Sequence, residues 1–501
     1  MSLLRNGVFN LAGALLPALA LFVTIPLIVH RLGADAYGAL VLVTSIVGYF
    51  GIIDVNATAG TVKFVAEHQA RGDDAALAQV VVLGGLIHLA LGLAGAAGLY
   101  VGAPALVQQV FQVDLRWQAE AESALRWSAA AFLVGQLQAW LQGLPQGLQR
   151  YDVVGRYEAL FGTLVPLATL AVVAAGGALV AIVVARLVLA LLHLVLLARA
   201  TRALLPGLRP QWPQRAVLRG LLSFSVYSWL QRLAALTTQN ADKLLLGAQQ
   251  SLSALAAYAV PLALGSRVFG LLYRLLQAVF PLASALAAQG QVHQLRERCV
   301  RLQRVTLYLN ICLWLLCVLF ARELLHHWLQ GRAPEQAATV LVLVASMLLA
   351  DALTHVPSLV NDGLGRPRIT ATAALLRAAL GVAAAWLALR QGGVVALALS
   401  QLLVSLAVAL GFVWWVHRRS LPWTLAQVAR RVYGLNAALL AIGLLLLVWR
   451  WQSPPLPPAG FAAALLCTLV MLAALGWWRV LAAGDRQRLR RIARRWMAAA
   501  A

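Results

Sequence analysis

Long apolar stretches separated by short polar segments recur along the whole chain of 501 residues. A helix of about 20 residues crosses a hydrocarbon layer about 30 Å thick, and most of the stretches are this long. Since lipid offers the backbone no hydrogen-bond partners, each stretch is predicted to be a helix. The pattern predicts fourteen spans, over residues 8–29, 38–60, 79–100, 124–146, 157–176, 178–198, 220–246, 255–283, 305–320, 339–361, 371–389, 394–416, 434–449 and 459–480.

Composition and charge support a membrane protein rather than a soluble one. Hydrophobic residues make up 62% of the chain and charged residues only 11%, whereas about a quarter of a soluble domain is charged. The net charge of +23 could indicate nucleic-acid binding. However, the basic residues of the connecting segments are nearly all arginines and fall overwhelmingly on one predicted side, as the positive-inside rule expects. We therefore predict that both termini are cytoplasmic, and we expect no nucleic-acid partner.

The sequence lacks the motifs of the common membrane enzymes. The two lysines, Lys63 and Lys243, are outside a Walker A context, and no His-Glu-x-x-His motif occurs. The four cysteines have neither disulfide nor metal spacing. Short connecting segments leave no room for an extracytoplasmic catalytic domain. We expect a protein that is not an enzyme and holds no cofactor or metal, while proton or sodium coupling stays open.

Two short motifs recur at nearly the same separation along the chain. Ala36-Tyr37-Gly38 reappears as Ala257-Tyr258-Ala259, and Gly147–Arg150 reappears as Gly363–Arg366. This indicates a duplication of six spans, and an even number gives both copies the same orientation, related by an axis along the membrane normal. The predicted fold is an all-α polytopic membrane protein with two six-helix lobes in a parallel repeat and two further C-terminal helices. Its predicted parts are an N-lobe (1–200, spans 1–6), a basic cytoplasmic linker (201–219), a C-lobe (220–417, spans 7–12), spans 13–14 (418–482) and a basic cytoplasmic tail (483–501).

Arginines inside the predicted spans are the first candidates for a binding site. Arg267 and Arg274 are seven residues apart on the eighth span and therefore share one helical face. Arg232 lies on the seventh span and Arg377 on the eleventh. Guanidinium groups bind diphosphate oxygens bidentately, which favours an anionic cargo. Internal ion pairing, or snorkelling to the interface for Arg274 and Arg377, are the alternatives.

The fourth span carries a stripe of amides. Gln138, Gln142 and Gln146 recur every four residues and so lie on one helical face. Amides both donate and accept hydrogen bonds, which suits sugar hydroxyls. Hydrogen bonding between helices is an equally good interpretation.

Acidic residues in the spans are candidates for ion or proton coupling. Asp351 and His355 are four apart on the tenth span and can meet on one face, where they could exchange a proton. An ion pair of Asp351 with one of the arginines is the alternative. Asp54 on the second span is a further candidate. Asp242 and Lys243 are interpreted as a local structural pair.

Five segments together resemble a known family: Leu4–Asn10, Leu32–Gly38, Gly60–Phe64, Gln146–Asp152 and Asp242–Gly247. With them the chain resembles the Wzx-type polysaccharide flippases of the multidrug/oligosaccharidyl-lipid/polysaccharide exporter superfamily. The resemblance implies two six-helix lobes, a central cationic cavity and alternating access in the bacterial inner membrane. It also implies an undecaprenyl-diphosphate-linked oligosaccharide as cargo, for O-antigen or exopolysaccharide synthesis.

Three other functions stay open. A drug or cation antiporter of the same superfamily would favour an acidic residue deep in the first span, where Asn10 and Thr24 are the polar groups. A membrane glycosyltransferase or polymerase would need a larger outer loop, and a scaffold in a polysaccharide-assembly complex needs no cavity. Membrane lipids are expected partners too, because the tail from Arg486 to Trp496 predicts a basic helix lying on anionic lipid.

Overall fold

The computed structural model describes residues 3–53, 57–276, 279, 283, 289, 291–334, 336–420, 432–481, 484, 486 and 487. Within these ranges it leaves undescribed the side chains of residues 3–14, 215–228, 231, 274–275, 292 and 296. The described chain is helical, and no strand occurs in it.

Fifteen α-helices form the described structure, because apolar residues fill stretches that must satisfy their own backbone hydrogen bonds. They are α1 (Leu3–Leu32), α2 (Ala34–Phe50), α3 (Ala57–Arg71), α4 (Asp74–Ala105), α5 (Leu115–Gly147), α6 (Tyr151–Ala174), α7 (Leu179–Leu204), α8 (Arg215–Gln249), α9 (Leu252–Leu276), α10 (Val292–Leu319), α11 (Ala321–Trp328), α12 (Ala337–Gly363), α13 (Pro367–Arg419), α14 (Gly434–Gln452) and α15 (Pro458–Leu475).

The all-α polytopic fold predicted from the sequence is confirmed. Among the described residues, 11 helices are long and apolar enough to cross a membrane. The helix α13 carries two predicted spans, since its backbone leaves helical geometry at Gly392 and at Gly393, where φ is 65°. Glycine adopts that left-handed backbone without steric cost, which is why the kink falls there. The helices α5 and α8 cover the fourth and seventh predicted spans but are not among the eleven, so the count of fourteen stays a prediction.

The second span was predicted as one continuous helix over residues 38–60, but the structure interrupts it. The helix α2 ends at Phe50, a 3₁₀ turn follows over Gly51–Ile53, and α3 begins at Ala57. Glycine at 51 is a weak helix former, which favours an interruption. The polar helix α3 then continues to Arg71, well beyond the predicted end of the span at residue 60.

The chain divides into two compact units. Unit 1 comprises Met1–Val260, Arg332–Gln336 and Ala374–Ser400, and unit 2 comprises Pro261–Gly331, Ala337–Ala373 and Gln401–Ala501. These units are defined by packing, whereas the predicted lobes are defined by a sequence repeat. The lobe assignment therefore stays a prediction.

In unit 1, α1 packs against α6, and both α4 and α7 pack against α5. Two contacts join segments from the two predicted lobes at their predicted outer ends. Arg332 Nη1 donates to the His30 carbonyl at 2.8 Å. Gly38 lies so close to α9 that a Cβ there would stand 2.0 Å from the Leu252 carbonyl oxygen. A glycine at position 38 thus permits the close approach of α2 to α9.

In unit 2, α10 packs against α12 and α14. Trp314 of α10 is 2% exposed and lies at the centre of an apolar cluster. Its indole N–H would be costly to bury without a partner, and it donates to Ser346 Oγ of α12 at 2.9 Å. This cluster forms one of the apolar cores of unit 2.

Candidate functional site

The predicted amide stripe lies on α5 in unit 1. Gln138 Nε2 donates to the Ala190 carbonyl of α7 at 2.7 Å, a bond between two helices. That bond is the one expected from the interhelical interpretation. Gln142 and Gln146 are half-buried on the same helix. A role for the three glutamines in sugar binding stays a prediction.

The predicted cationic residues lie on three helices. Arg232 is half-buried on α8, and Arg377 is half-buried on α13 in unit 1. Arg267 is exposed on α9 in unit 2. Arg274 follows on α9, as the spacing predicts, but its side chain lies outside the described residues. Their assignment to cargo binding stays a prediction.

Arg377 acts on a buried acidic group in unit 1. The Tyr258 hydroxyl of α9 donates to Asp242 Oδ2 at 2.6 Å, and the backbone N–H of Lys243 donates to Asp242 Oδ1 at 2.8 Å. The positive charges of Lys243 and Arg377 both act on the carboxylate. The sequence suggested a local Asp242–Lys243 pair. It did not reveal that Tyr258, the tyrosine of the second repeat motif, completes the group.

Of the three residues proposed for ion or proton coupling, the structure describes Asp351 and His355. Asp351 of α12 accepts a hydrogen bond from the Ser405 hydroxyl of α13, within unit 2. The His355 ring lies 4.6 Å from the Tyr273 ring, between centroids. Asp54 lies outside the described residues. Among the described residues, no group of three or more His, Cys, Asp or Glu could hold a metal ion.

A buried polar group around a single histidine, His88, lies in unit 1 and was missed by the sequence analysis. His88 of α4 is fully buried, with Nδ1 3.2 Å from Gln136 Oε1 of α5 and Nε2 3.4 Å from Thr58 Oγ1 of α3. A polar residue in an apolar stretch was the available signal. The contacts join three helices, which no local pattern reveals.

A further charged group was also missed, and we call it the hairpin clamp: Arg322, Glu323 and Arg450 in unit 2. Arg450 Nη2 of α14 bonds Glu323 Oε1 of α11, and both side chains are buried. The Leu456 N–H donates to the same carboxylate oxygen at 2.9 Å. Arg322 donates to the Trp451 carbonyl at 2.9 Å. The clamp thereby anchors the connection between α14 and α15.

Two in-span arginines in unit 1 have different partners. Arg126 of α5 forms an ion pair of 2.6 Å with Glu122, one turn earlier. Arg186 of α7 instead donates through Nε to the Thr169 hydroxyl of α6 at 3.1 Å. Its charge acts on Tyr37 of α2. The sequence marks Arg186 only as one of several basic residues inside spans.

Comparison with known proteins gives a family match over more than half of the chain. The model of a family of polysaccharide biosynthesis proteins matches residues 27–331, which is more than half of the chain. A segment of 69 residues is 32% identical to the "Putative O-antigen transporter" of Shigella flexneri. That segment covers 14% of this chain and 16% of the relative, so the match spans only a small part of either protein.

Solved structures share the fold over most of the chain. An inward closed structure of the lipid II flippase MurJ has a TM-score of 0.71 and 10% identity, covering 94% of this chain and 98% of that one. An inward-facing multidrug resistance MATE family transporter of the MOP superfamily has a TM-score of 0.67 and 15% identity, covering 85% of this chain and 97% of that one. Identities this low establish the fold and leave the cargo to other arguments.

Proposed function

This chain belongs to the family of polysaccharide biosynthesis proteins, and from that membership we propose that it flips undecaprenyl-diphosphate-linked oligosaccharides across the bacterial inner membrane. The family match is the observation that carries the proposal. The chain is a multi-pass membrane protein with a transporter fold. A segment resembling a protein named for O-antigen transport agrees with this cargo.

The cargo has a charged diphosphate, a polar glycan and an apolar chain. Moving a diphosphate through hydrocarbon is costly unless cationic partners replace its hydration shell. We assign this task to Arg232 and Arg267, with Arg274 and Arg377 as further contacts. The glycan would meet the amides of α5, and the polyprenyl chain would stay in lipid. Since tight binding to both states would prevent release, several exchanging arginines serve better than one closed clamp.

Alternating access requires contacts that close one side and can open again. The contacts of Arg332 with His30 and of α2 with α9 at Gly38 join the two predicted lobes at their predicted outer ends. They support a cycle in which this end opens to release cargo. In this cycle both termini remain cytoplasmic.

The experiment is transport of a fluorescent lipid-linked oligosaccharide by purified protein in vesicles, with a membrane-impermeant quencher reporting the outer leaflet. We expect Arg267→Lys to transport slowly, because it keeps the charge but loses the guanidinium fork. Arg232→Ala and Arg267→Ala should be severely impaired at normal abundance. Arg390→Ala is the matched control, since Arg390 is exposed over the ring of Trp386 at 3.7 Å.

Normal transport by both alanine variants would overturn the cationic path. A wild-type protein that moves a labelled lipophilic cation and leaves the oligosaccharide lipid behind would favour the antiporter instead. Formation of a longer glycan in the same vesicles would favour an enzyme.

A further inference from the structure

Arg186 is an intramembrane cation with hydroxyl partners. It lies on α7 between Ile182 and Leu187, both of which are buried. No carboxylate forms an ion pair with Arg186 among the described residues, and the hydrogen bond described for it goes to Thr169. A charged side chain in a bilayer normally pairs or faces a polar cavity. Arg186 is therefore a cation whose counter-charge is not supplied by any described residue.

Most of the N–H donors of the Arg186 guanidinium have no described acceptor. A guanidinium carries five N–H groups, of which the Nε–H donates to Thr169. The two Nη atoms make no described hydrogen bond. Their four N–H groups have a planar geometry that matches the two oxygens of a carboxylate or phosphate.

The Thr169 hydroxyl positions Arg186 without supplying a counter-charge. Thr169 Oγ1 donates to the Val165 carbonyl at 2.9 Å, so its lone pair is presented to Arg186 Nε. Tyr37 is close enough for the charge of Arg186 to act on it. The hydrogen bond to Thr169 therefore links α7 to α6 at this guanidinium, and Tyr37 of α2 lies near it, all within unit 1.

The position along these helices is near one end of each. Arg186 is seven residues after Leu179, Thr169 is five before Ala174, and Tyr37 is three after Ala34. At 1.5 Å per residue this is within about 10 Å of the helix ends. Those ends are the predicted outer ends, on the side where cargo would be released.

We propose that Arg186, with Tyr37 and Thr169, forms a binding site for an oxyanion of the transported lipid-linked glycan, in the predicted outer half of the N-lobe. The inference rests on the proposed function for the identity of the cargo. The oxyanion is either a carboxylate of an acidic sugar or the diphosphate itself.

The test measures equilibrium binding to the full-length protein in detergent, so that it does not depend on flipping. The probes are inorganic diphosphate and a uronic-acid-bearing trisaccharide without lipid. We expect Arg186→Gln to weaken one of them by about tenfold or more. Arg186→Lys should recover part of that affinity, and Tyr37→Phe should leave the fold intact with weaker binding. The probe that loses affinity identifies which oxyanion the site holds.

The matched control is Arg126→Gln, since Arg126 already has Glu122 as its partner. It should bind both probes as the wild type does. Wild-type affinity of Arg186→Gln for both probes would overturn the site, whatever the outcome of the flipping assay. Should Arg186→Gln fail to fold, Thr169→Val keeps the charge and removes its support. Unchanged binding by Thr169→Val and by Tyr37→Phe would then count as refutation.

Discussion

The hairpin clamp in unit 2 and the Arg186 site in unit 1 differ in the partner that they give an arginine. The clamp provides a carboxylate, and the Arg186 site provides a hydroxyl. At the clamp, Arg450 is buried against Glu323, and both side chains have further hydrogen bonds to the connection between α14 and α15. At Arg186, the described polar partners are the hydroxyl of Thr169 and the nearby Tyr37. Arg450 is neutralised within the protein, whereas no described residue supplies a counter-charge to Arg186.

This difference separates structural from functional charges in a chain rich in arginine. A buried pair contributes specificity to the fold, and breaking it leaves an uncompensated charge. A hydroxyl partner offsets only part of the dehydration of a cation, so the counter-charge of Arg186 is expected to come from outside. Three substitutions test this distinction, and they are ordered by the size of the expected effect.

The largest effect should follow Glu323→Gln. It leaves Arg450 buried without its counter-charge, and the free energy of unfolding should fall by about 3–5 kcal/mol. Unfolding by SDS titration in mixed micelles measures this change. Glu122→Gln is the control: its partner Arg126 is 43% exposed, so the loss should be about 1 kcal/mol or less. Equal losses from both variants would show that burial of the clamp does not matter.

A middle-sized effect should follow Tyr258→Phe. The substitution removes the hydroxyl that donates to Asp242 at 2.6 Å, and a hydrogen bond to a charged group contributes about 1.5–3 kcal/mol. Tyr37→Phe is the matched control from the first repeat motif, because no carboxylate accepts from Tyr37 among the described residues. It should cost about 1 kcal/mol or less in the same titration. A larger loss from Tyr37→Phe would reverse this assignment.

Much of the fold could be predicted from the sequence, because lipid removes the alternatives to a helix. The kink at Gly392 and Gly393 falls between the eleventh and twelfth predicted spans. The helices α5 and α8 are not apolar enough to be recognised as spans by hydropathy alone, yet the pattern of predicted spans requires both. The interruption after Phe50 was not predicted, although Gly51 and the polar residues that follow it, Asp54 and Asn56, were visible in the sequence.

The candidate site was much less predictable, because partners lie far apart in the sequence. Arg450 and its partner Glu323 are 127 positions apart in the sequence. Arg186 and Thr169 are 17 positions apart on different helices. Sequence spacing shows which residues share a helical face, but the choice of neighbouring helix is made by packing. That is why neither the partner of Arg450 nor that of Arg186 could be predicted from the sequence.

The smallest expected effect on stability, that of Arg186→Met, is also the most informative. Methionine fills much of the same volume, and Thr169 retains its bond to the Val165 carbonyl. No carboxylate is orphaned, and the cost of keeping a charge in the bilayer, about 2.5–3.5 kcal/mol on insertion scales, disappears. The free energy of unfolding should therefore fall by no more than about 1 kcal/mol, or rise. Arg450→Met, which orphans Glu323, should instead lose about 3–5 kcal/mol in the same titration. If the two methionine variants lose equal stability, Arg186 is a structural cation like Arg450, and the binding of an external anion by this site is refuted.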